Sequence, residues 1–257
     1  MDIYKGFATM YDELMHGIPY DKWGSYIYER VKMRHKDVKK PIVLDLACGT
    51  GNMTIQLSKK GFDMIGVDLS TDMLATAQQK AYETKQKILF LAQDMRELDL
   101  YGTIDAAVCV CDGLNYILEP DELRTVFERV RLFLNPDGVF IFDMNTEYKF
   151  KELLAQRSFE SKNKDGAAYE WDNSYDEITK INEYRVLFYT NQLVRESDQL
   201  VGNSDRFIEV HKQRAYATED VVQMLKACGF SKVLVHHEYT NEPPKPNSAR
   251  LTYIAEA

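Results

Sequence analysis

The sequence predicts an α/β protein: a mostly parallel sheet covered by helices on both faces and interrupted by an antiparallel β insertion. Apolar runs of strand length alternate with amphipathic helical stretches from Ile42 to about Asn145. Residues 168–216 then carry strand-like segments with no helix between them, and the strand and helix pattern resumes behind them. The resumption makes the middle stretch an insertion within one unit and not a separate domain.

Five strands are expected first: "IVLDL" (42–46), "MIGVDL" (64–69), "ILFLA" (88–92), "IDAAVCVC" (104–111) and "GVFIFDM" (138–144). Between them, "NMTIQLSKKG" reads as a helix stopped at Gly61, and "STDMLATAQQKAYETK" as one opened by a Ser/Thr/Asp cap. "PDELRTVFERVRLFLNPDG" reads as a longer amphipathic helix. In the insertion, "AYEWDNSY", "ITKINEYRVLFYT", "NQLVRESDQLV" and "SDRFIEVHKQRAY" show strand propensity with partial alternation. "TEDVVQMLKACGF" is a capped helix ending at Gly229, "KVLVHHEYT" a sixth core strand and "ARLTYIAEA" a seventh. No helix separates the last two, so they are expected to pair antiparallel.

The 257 residues are 45% hydrophobic, enough for one sizeable core, and the net charge of −8 works against a polyanionic partner such as nucleic acid. No stretch reads as a secretory signal or a membrane span, so a cytoplasmic protein is expected, monomeric or homodimeric. Cys48, Cys109, Cys111 and Cys228 are too few and too scattered for a disulfide framework or a four-ligand zinc site. The adjacent histidines of "VHHEYT" point to opposite faces of a strand, so no metal is expected there either.

"VLDLACGTGNMT" (43–54) puts a glycine-rich turn behind the first strand. The lysine that a nucleoside triphosphate loop requires is missing, which sets that ligand aside. Gly49 and Gly51 match two of the three glycines of a dinucleotide turn, with Thr54 at the third. Asp68, at the end of the second strand, is placed to accept both hydroxyls of a ribose. On these residues alone, NAD and S-adenosylmethionine fit equally.

"VLDLACGTGNMT" resembles the first motif of class I S-adenosylmethionine-dependent methyltransferases, with Asp45 at the acidic position, Gly49 and Gly51 at the glycines and Ala47 where a glycine is commoner. "GVDLS" (66–70), "QDMREL" (93–98), "CDGLNYI" (111–117) and "LNPDGVFIFDMN" (134–145) resemble the later motifs, in order and at the spacing of the fold. The opening "YKGFATMYDELM" resembles the bacterial YqeM-type group, a likeness that runs through "AYEWDN" and "QRAYATEDV" over nearly the whole chain. A more distant likeness is to N,N-dimethyltransferases of nucleotide-linked amino sugars.

The resemblance implies a Rossmann-like seven-stranded sheet of order 3-2-1-4-5-7-6, and S-adenosylmethionine as cofactor with S-adenosylhomocysteine as product. It implies an N-terminal helical lid (1–40), a cofactor-binding core (41–145 and 217–257) and an insertion capping the substrate side (146–216). Tyr4, Tyr11 and Trp23 would cover the cofactor. Asp45, Ala47, Cys48, Gly49 and Gly51 would cradle it, and Asp68 would hold the ribose. Leu69 and Met73 would pack on the adenine, Asp94 would accept from its amino group, Met95 would offer a backbone contact, and Cys111 would line the methyl-transfer cavity. Acids around such a cationic ligand are tolerable, whereas a pyrophosphate would be repelled.

Methyl transfer is an in-line displacement that needs positioning more than a strong base. His211 is the candidate base, with Asn115, Tyr116, Glu170, His211 and Arg214 as candidate acceptor contacts. A small-molecule acceptor is expected, an amine ahead of a hydroxyl. Methylation of tRNA or rRNA, and non-catalytic sensing of S-adenosylmethionine or S-adenosylhomocysteine, are the alternatives.

Overall fold

The computed structural model describes residues 11–12, 15, 17–155, 158–162, 168–196 and 199–257. Seven strands form the main sheet: β1 (Ile42–Leu46), β2 (Asp63–Asp68), β3 (Ile88–Ala92), β4 (Ile104–Cys109), β5 (Leu134–Asn145), β10 (Lys232–His237) and β11 (Arg250–Glu256). Their order is β3-β2-β1-β4-β5-β11-β10. With the insertion strands skipped, this is the implied order 3-2-1-4-5-7-6. β1 to β5 pair in parallel, while β11 runs antiparallel to both β5 and β10.

The central strands read as unbroken apolar runs because helices bury both faces. Val43, Met64, Val108, Val139 and Ile141 pack under α1 (Tyr20–Arg34) and α2 (Asn52–Lys59). Leu44, Leu46, Ala107, Phe140 and Phe142 face the other way, toward α4 (Pro120–Phe133) and α5 (Thr218–Ala227). α3 (Thr71–Glu83) covers the β2–β3 end and begins at Ser70, whose hydroxyl accepts from the Met73 amide at 3.3 Å. The expected helix stops hold: Gly61 and Gly229 take φ of +99° and +90°, which few other residues accept.

The insertion is a four-stranded antiparallel sheet, β6 (Ser158–Lys162), β7 (Ala168–Asp176), β8 (Ile181–Glu196) and β9 (Gln199–Arg214). The expected segment "NQLVRESDQLV" is divided between two strands: nothing in "YTNQL" breaks the chain, so β8 runs on to Glu196, and the segment's last three residues open β9. β6 escaped the sequence reading because "SFESK" has no apolar alternation; backbone pairing to β7 holds it. A π-helix, Lys149–Leu154, leads from β5 into the insertion. No helix among the described residues is long and apolar enough to cross a membrane.

Candidate active site

The chain crosses to β2 on one side of β1 and to β4 on the other, so a crevice opens outside the carboxyl ends of these strands. It leaves β1 through three residues of positive φ, Ala47 (+57°), Gly49 (+53°) and Gly51 (+77°). Ala47 bears a left-handed conformation that costs an L-residue about 1–2 kcal/mol. A Cβ on Gly51 would lie 2.9 Å from the Ala77 Cβ, so close packing of α3 demands glycine there. At Gly49 the nearest atom would be a ring carbon of Tyr11 at 3.9 Å, so that backbone faces open space beneath the tyrosine.

Two acids frame this turn. Asp68 accepts from the Gly49 amide at 2.7 Å and the Ser70 amide at 2.9 Å, tying the first two strand-to-helix turns together. Burial raises its pKa against those hydrogen bonds. Leu69 beside it is 70% exposed, and Met73 lies in the first turn of α3. Asp45 is fully buried; Thr54 donates to its Oδ2 at 2.5 Å, and its Oδ1 has no hydrogen-bond partner among the described residues. Burial pushes its pKa up to about 7. The Cys48 thiol turns inward against the flank of Gly66, so only its main chain borders the turn.

Asp12, which sequence reasoning missed, pins the N-terminal segment over the turn. It accepts from Thr50 Oγ1 at 2.7 Å and Asn52 Nδ2 at 2.9 Å and pairs with Lys80. Tyr11 is thereby held above Gly49, with Cys111, Tyr20, Tyr116 and Asp112 around its phenol. Tyr4 lies outside the described residues. Trp23 is corrected: at 6% exposure it is a core residue, stacked on Tyr239 with ring centroids 4.4 Å apart. It faces inward because α1 is amphipathic and this is its buried side. Asp94 accepts from Arg96 on both oxygens, which depresses its pKa and ties its carboxylate to a cation. Met95 opens the short 3₁₀ turn that follows.

On the other side of the crevice, the chain leaves β4 through Cys111 and Asp112, both left-handed at φ +59° and +56°. Their amides donate to the two oxygens of Asp143 at 2.9 and 2.8 Å, which offsets the strain. Asp143 has no accessible surface and is also bound by Arg250 and the Tyr239 hydroxyl. Arg250 reaches Asp112 at 2.6 Å, and Gln213 from the insertion donates to the same carboxylate at 2.5 Å. Burial alone would depress the pKa of Arg250, but Asp143 and Asp112 hold it well above its ordinary value. The sequence signal for this cluster was faint: an acid ending an apolar strand, in "FIFDM".

Asn115 is corrected to a structural tie. It is completely buried, donating to the carbonyls of Asn145 and Arg214 and accepting from the Asn145 amide. Its amide is spent joining the core sheet to the insertion.

The insertion turns one face toward this crevice. Register puts Asn173, Tyr184 and His211 in one row, and Trp171, Val186 and Glu209 in the next. His211 stacks on Tyr184 at 4.8 Å and lies 3.6 Å from Glu209, and Trp171 tilts onto Tyr184 at 5.0 Å. Burial lowers the pKa of His211 and raises that of Glu209. Tyr116 bonds the Tyr184 hydroxyl and meets the His211 ring edge-on at 5.9 Å. It keeps 41% of its surface accessible although burial drives its phenol pKa up. Both hold if Tyr116 is the wall of a concavity.

Strand alternation corrects two further expectations. Glu170 pairs with Leu187, in the row of the 62% exposed Ile208, and so lies on the outer face, opposite Trp171. Arg214 is three residues from His211, an odd number, so the two side chains leave opposite faces. Its guanidinium donates to the Leu118 carbonyl at 2.8 Å, in a separate groove shared with Pro120 and Tyr216.

The arrangement is a backbone cradle with no lysine among its own residues, the neighbouring Lys80 being held by Asp12 and Asn52, and it is framed by carboxylates and leads into an aromatic pocket. It suits a phosphate-free ligand bearing hydroxyls and positive charge next to a second, smaller ligand. Comparison with known proteins agrees. Residues 43–138 match a family model described as a methyltransferase domain. A Bacillus subtilis (strain 168) protein that bears the name "Putative methyltransferase YqeM" is 37% identical over 99% of this chain and 97% of its own length. The crystal structure of an S-adenosylmethionine-dependent methyltransferase from Clostridium acetobutylicum ATCC 824 is similar at a TM-score of 0.83 and 31% identity, covering 98% of both chains. S-adenosylmethionine-bound CalS10, an amino pentose methyltransferase from Micromonospora echinaspora, shares the fold at 17% identity and a TM-score of 0.74, over 96% of this chain and 95% of that one.

Proposed function

The chain belongs to the class I S-adenosylmethionine-dependent methyltransferases, and from that membership we propose that it methylates a small-molecule acceptor, on nitrogen ahead of oxygen. S-adenosylmethionine is the methyl donor and supplies an electrophilic methyl group on a sulfonium. The residues fit it. Gly49 leaves space where a Cβ would intrude, the turn's own residues include no lysine and the neighbouring Lys80 is held by Asp12 and Asn52, and the carboxylate of Asp68 at the crevice edge suits a hydroxyl-bearing ligand. Asp68 would hold the ribose, the exposed Leu69 and Met73 the adenine, and the 94–95 turn the adenine edge. The stretch 1–40, through Tyr11 and Asp12, is read as the cover of the methionine end, and 146–216 as the cap on the acceptor side.

The acceptor reading rests on one observation: the inward row of Tyr184 and His211 with Tyr116 across from it, beside the Cys111–Asp112 turn. Aromatic faces favour a cationic amine by about 0.5–2 kcal/mol. Burial keeps His211 neutral at pH 7, so its imidazole can take the proton that an ammonium must lose before it attacks, with Glu209 steadying the resulting charge. Holding the acceptor in line can supply up to about 7–11 kcal/mol of the barrier, so positioning by these rings matters more than base strength.

The test is methyl-labelled S-adenosylmethionine offered with panels of small amines, hydroxylated metabolites and RNA. Label entering small amines supports the reading. Label entering RNA alone overturns it.

A further inference from the structure

Lys149 stands at the acceptor end of the crevice without a carboxylate of its own. It opens the π-helix behind β5, and its Nζ donates to Asn145 Oδ1 at 2.9 Å; no described carboxylate is within ion-pair distance. The nearby acids are already committed. Asp143 takes Arg250, Tyr239 and two turn amides, and Asp112 takes Arg250 and Gln213. Burial lowers the pKa of Lys149 and Arg250 lowers it further, with Asp112 and Asp143 offsetting only part of that. A half-buried ammonium held by one neutral amide has desolvation to recover, and an anion brought by a ligand would recover it.

Position decides which ligand. β4 lies between β1 and β5, so the end of β5 is two strand spacings, roughly 10 Å, from the glycine turn. Lys149 is instead connected to the insertion. Asn145, which holds it, also donates to Gln213 at 3.4 Å, and Gln213 is two residues from His211 on the same face, about 7 Å along the strand. A monoanion suits the charge balance, because Arg250 and Lys149 together match Asp112 and Asp143. One carboxylate entering with one ammonium leaves that balance intact, whereas a dianionic phosphate does not.

We propose that Lys149 receives a carboxylate of the acceptor, so that the substrate is an amino acid whose amine lies against His211 and Tyr184 while its carboxylate lies at Lys149. This rests on the methyltransferase reading above and narrows its acceptor.

The test is calorimetric titration of the full chain, saturated with S-adenosylhomocysteine, using paired probes: glycine and methylamine, β-alanine and ethylamine, 4-aminobutyrate and propylamine, with O-phosphoethanolamine as the phosphate arm. The proposal expects at least one carboxylated probe to bind about 30-fold more tightly than its decarboxylated twin, the scale of a hydrogen bond between charged groups. In Lys149→Met that preference falls to within about threefold, Lys149→Arg keeps part of it, and affinity for S-adenosylhomocysteine changes by less than about twofold. The proposal is overturned if no pair is discriminated, if the preference survives in Lys149→Met, or if the phosphate probe binds most tightly. It is equally overturned if Lys149→Met loses S-adenosylhomocysteine affinity, which would assign the lysine to the cofactor. Failure of the unmodified protein to bind S-adenosylhomocysteine would strike the methyltransferase reading itself, and the proposal with it.

Discussion

Two carboxylates near the glycine turn do different work. Asp68 is tied to two amides at the crevice edge, so Asp68→Ala is expected to weaken S-adenosylmethionine binding by about 1.5–3 kcal/mol, read by calorimetry. Unchanged affinity would remove Asp68 from the ribose site. Asp45 is sealed inside, with a pKa near 7 against an ordinary 3.8. Between those values the folded chain holds a proton that the unfolded chain has released. Its stabilising contribution is therefore complete below about pH 4 and is lost as pH rises toward 7, by at most about 1.4 kcal/mol per unit. Denaturant unfolding at several pH values should show this slope in the unmodified protein and a flatter one in Asp45→Asn. Both acids were legible because each lies at or next to the end of an apolar strand, at a recognisable interval from a glycine. Asp112, Asp143 and Arg250 were not, since they converge from three separate strands and loops and no local spacing records that.

Among elements, the core strands were the most legible, and β1 and β3 fall on their expected residues because continuous apolar runs have sharp ends. β4 stops two residues short of its expected end because Cys111 and Asp112 turn left-handed, a strain set by Asp143 from β5. The insertion was legible as antiparallel β but not in its facing. Alternation alone does not say which face is inward, and so Glu170 and Arg214 are expected at the cavity while nothing in the sequence marks Gln213. Two predictions belong at this scale. Arg250→Ala leaves Asp143 buried without its cation and should cost about 3–5 kcal/mol in denaturant unfolding, far more than a surface arginine. Ser70→Ala removes the cap of α3 and should cost about 1 kcal/mol by the same measurement. Equal losses for the two would mean that the Arg250 cluster contributes no more than a helix cap. At the insertion's inner face, His211→Ala should lower turnover far more than cofactor affinity. The rate of the unmodified enzyme should fall as pH drops through a pKa below the ordinary 6.5. A flat acid limb would exclude His211 as the base.

At the scale of the whole molecule, the proposed sites for two ligands share one sheet whose order reverses at β1 and β4. The residues proposed for the cofactor gather on the β1–β2–β3 side, and those proposed for the acceptor on β4, β5 and the insertion folded over them. The acidic balance of the chain accords with a cationic cofactor and with acids set around an amine. Its fold class and motif order were legible because both follow from sequential repetition of strand, turn and helix. The proposed acceptor pocket was not, because it lies where the insertion meets the core. The measurement that tests the account most directly is parallel calorimetric titration with S-adenosylmethionine, S-adenosylhomocysteine and NAD. The account predicts that the first two bind and NAD does not, with affinity lost in Gly49→Val, where a side chain would fill the cradle. Binding of NAD alone, or normal S-adenosylmethionine binding by a folded Gly49→Val, would contradict it.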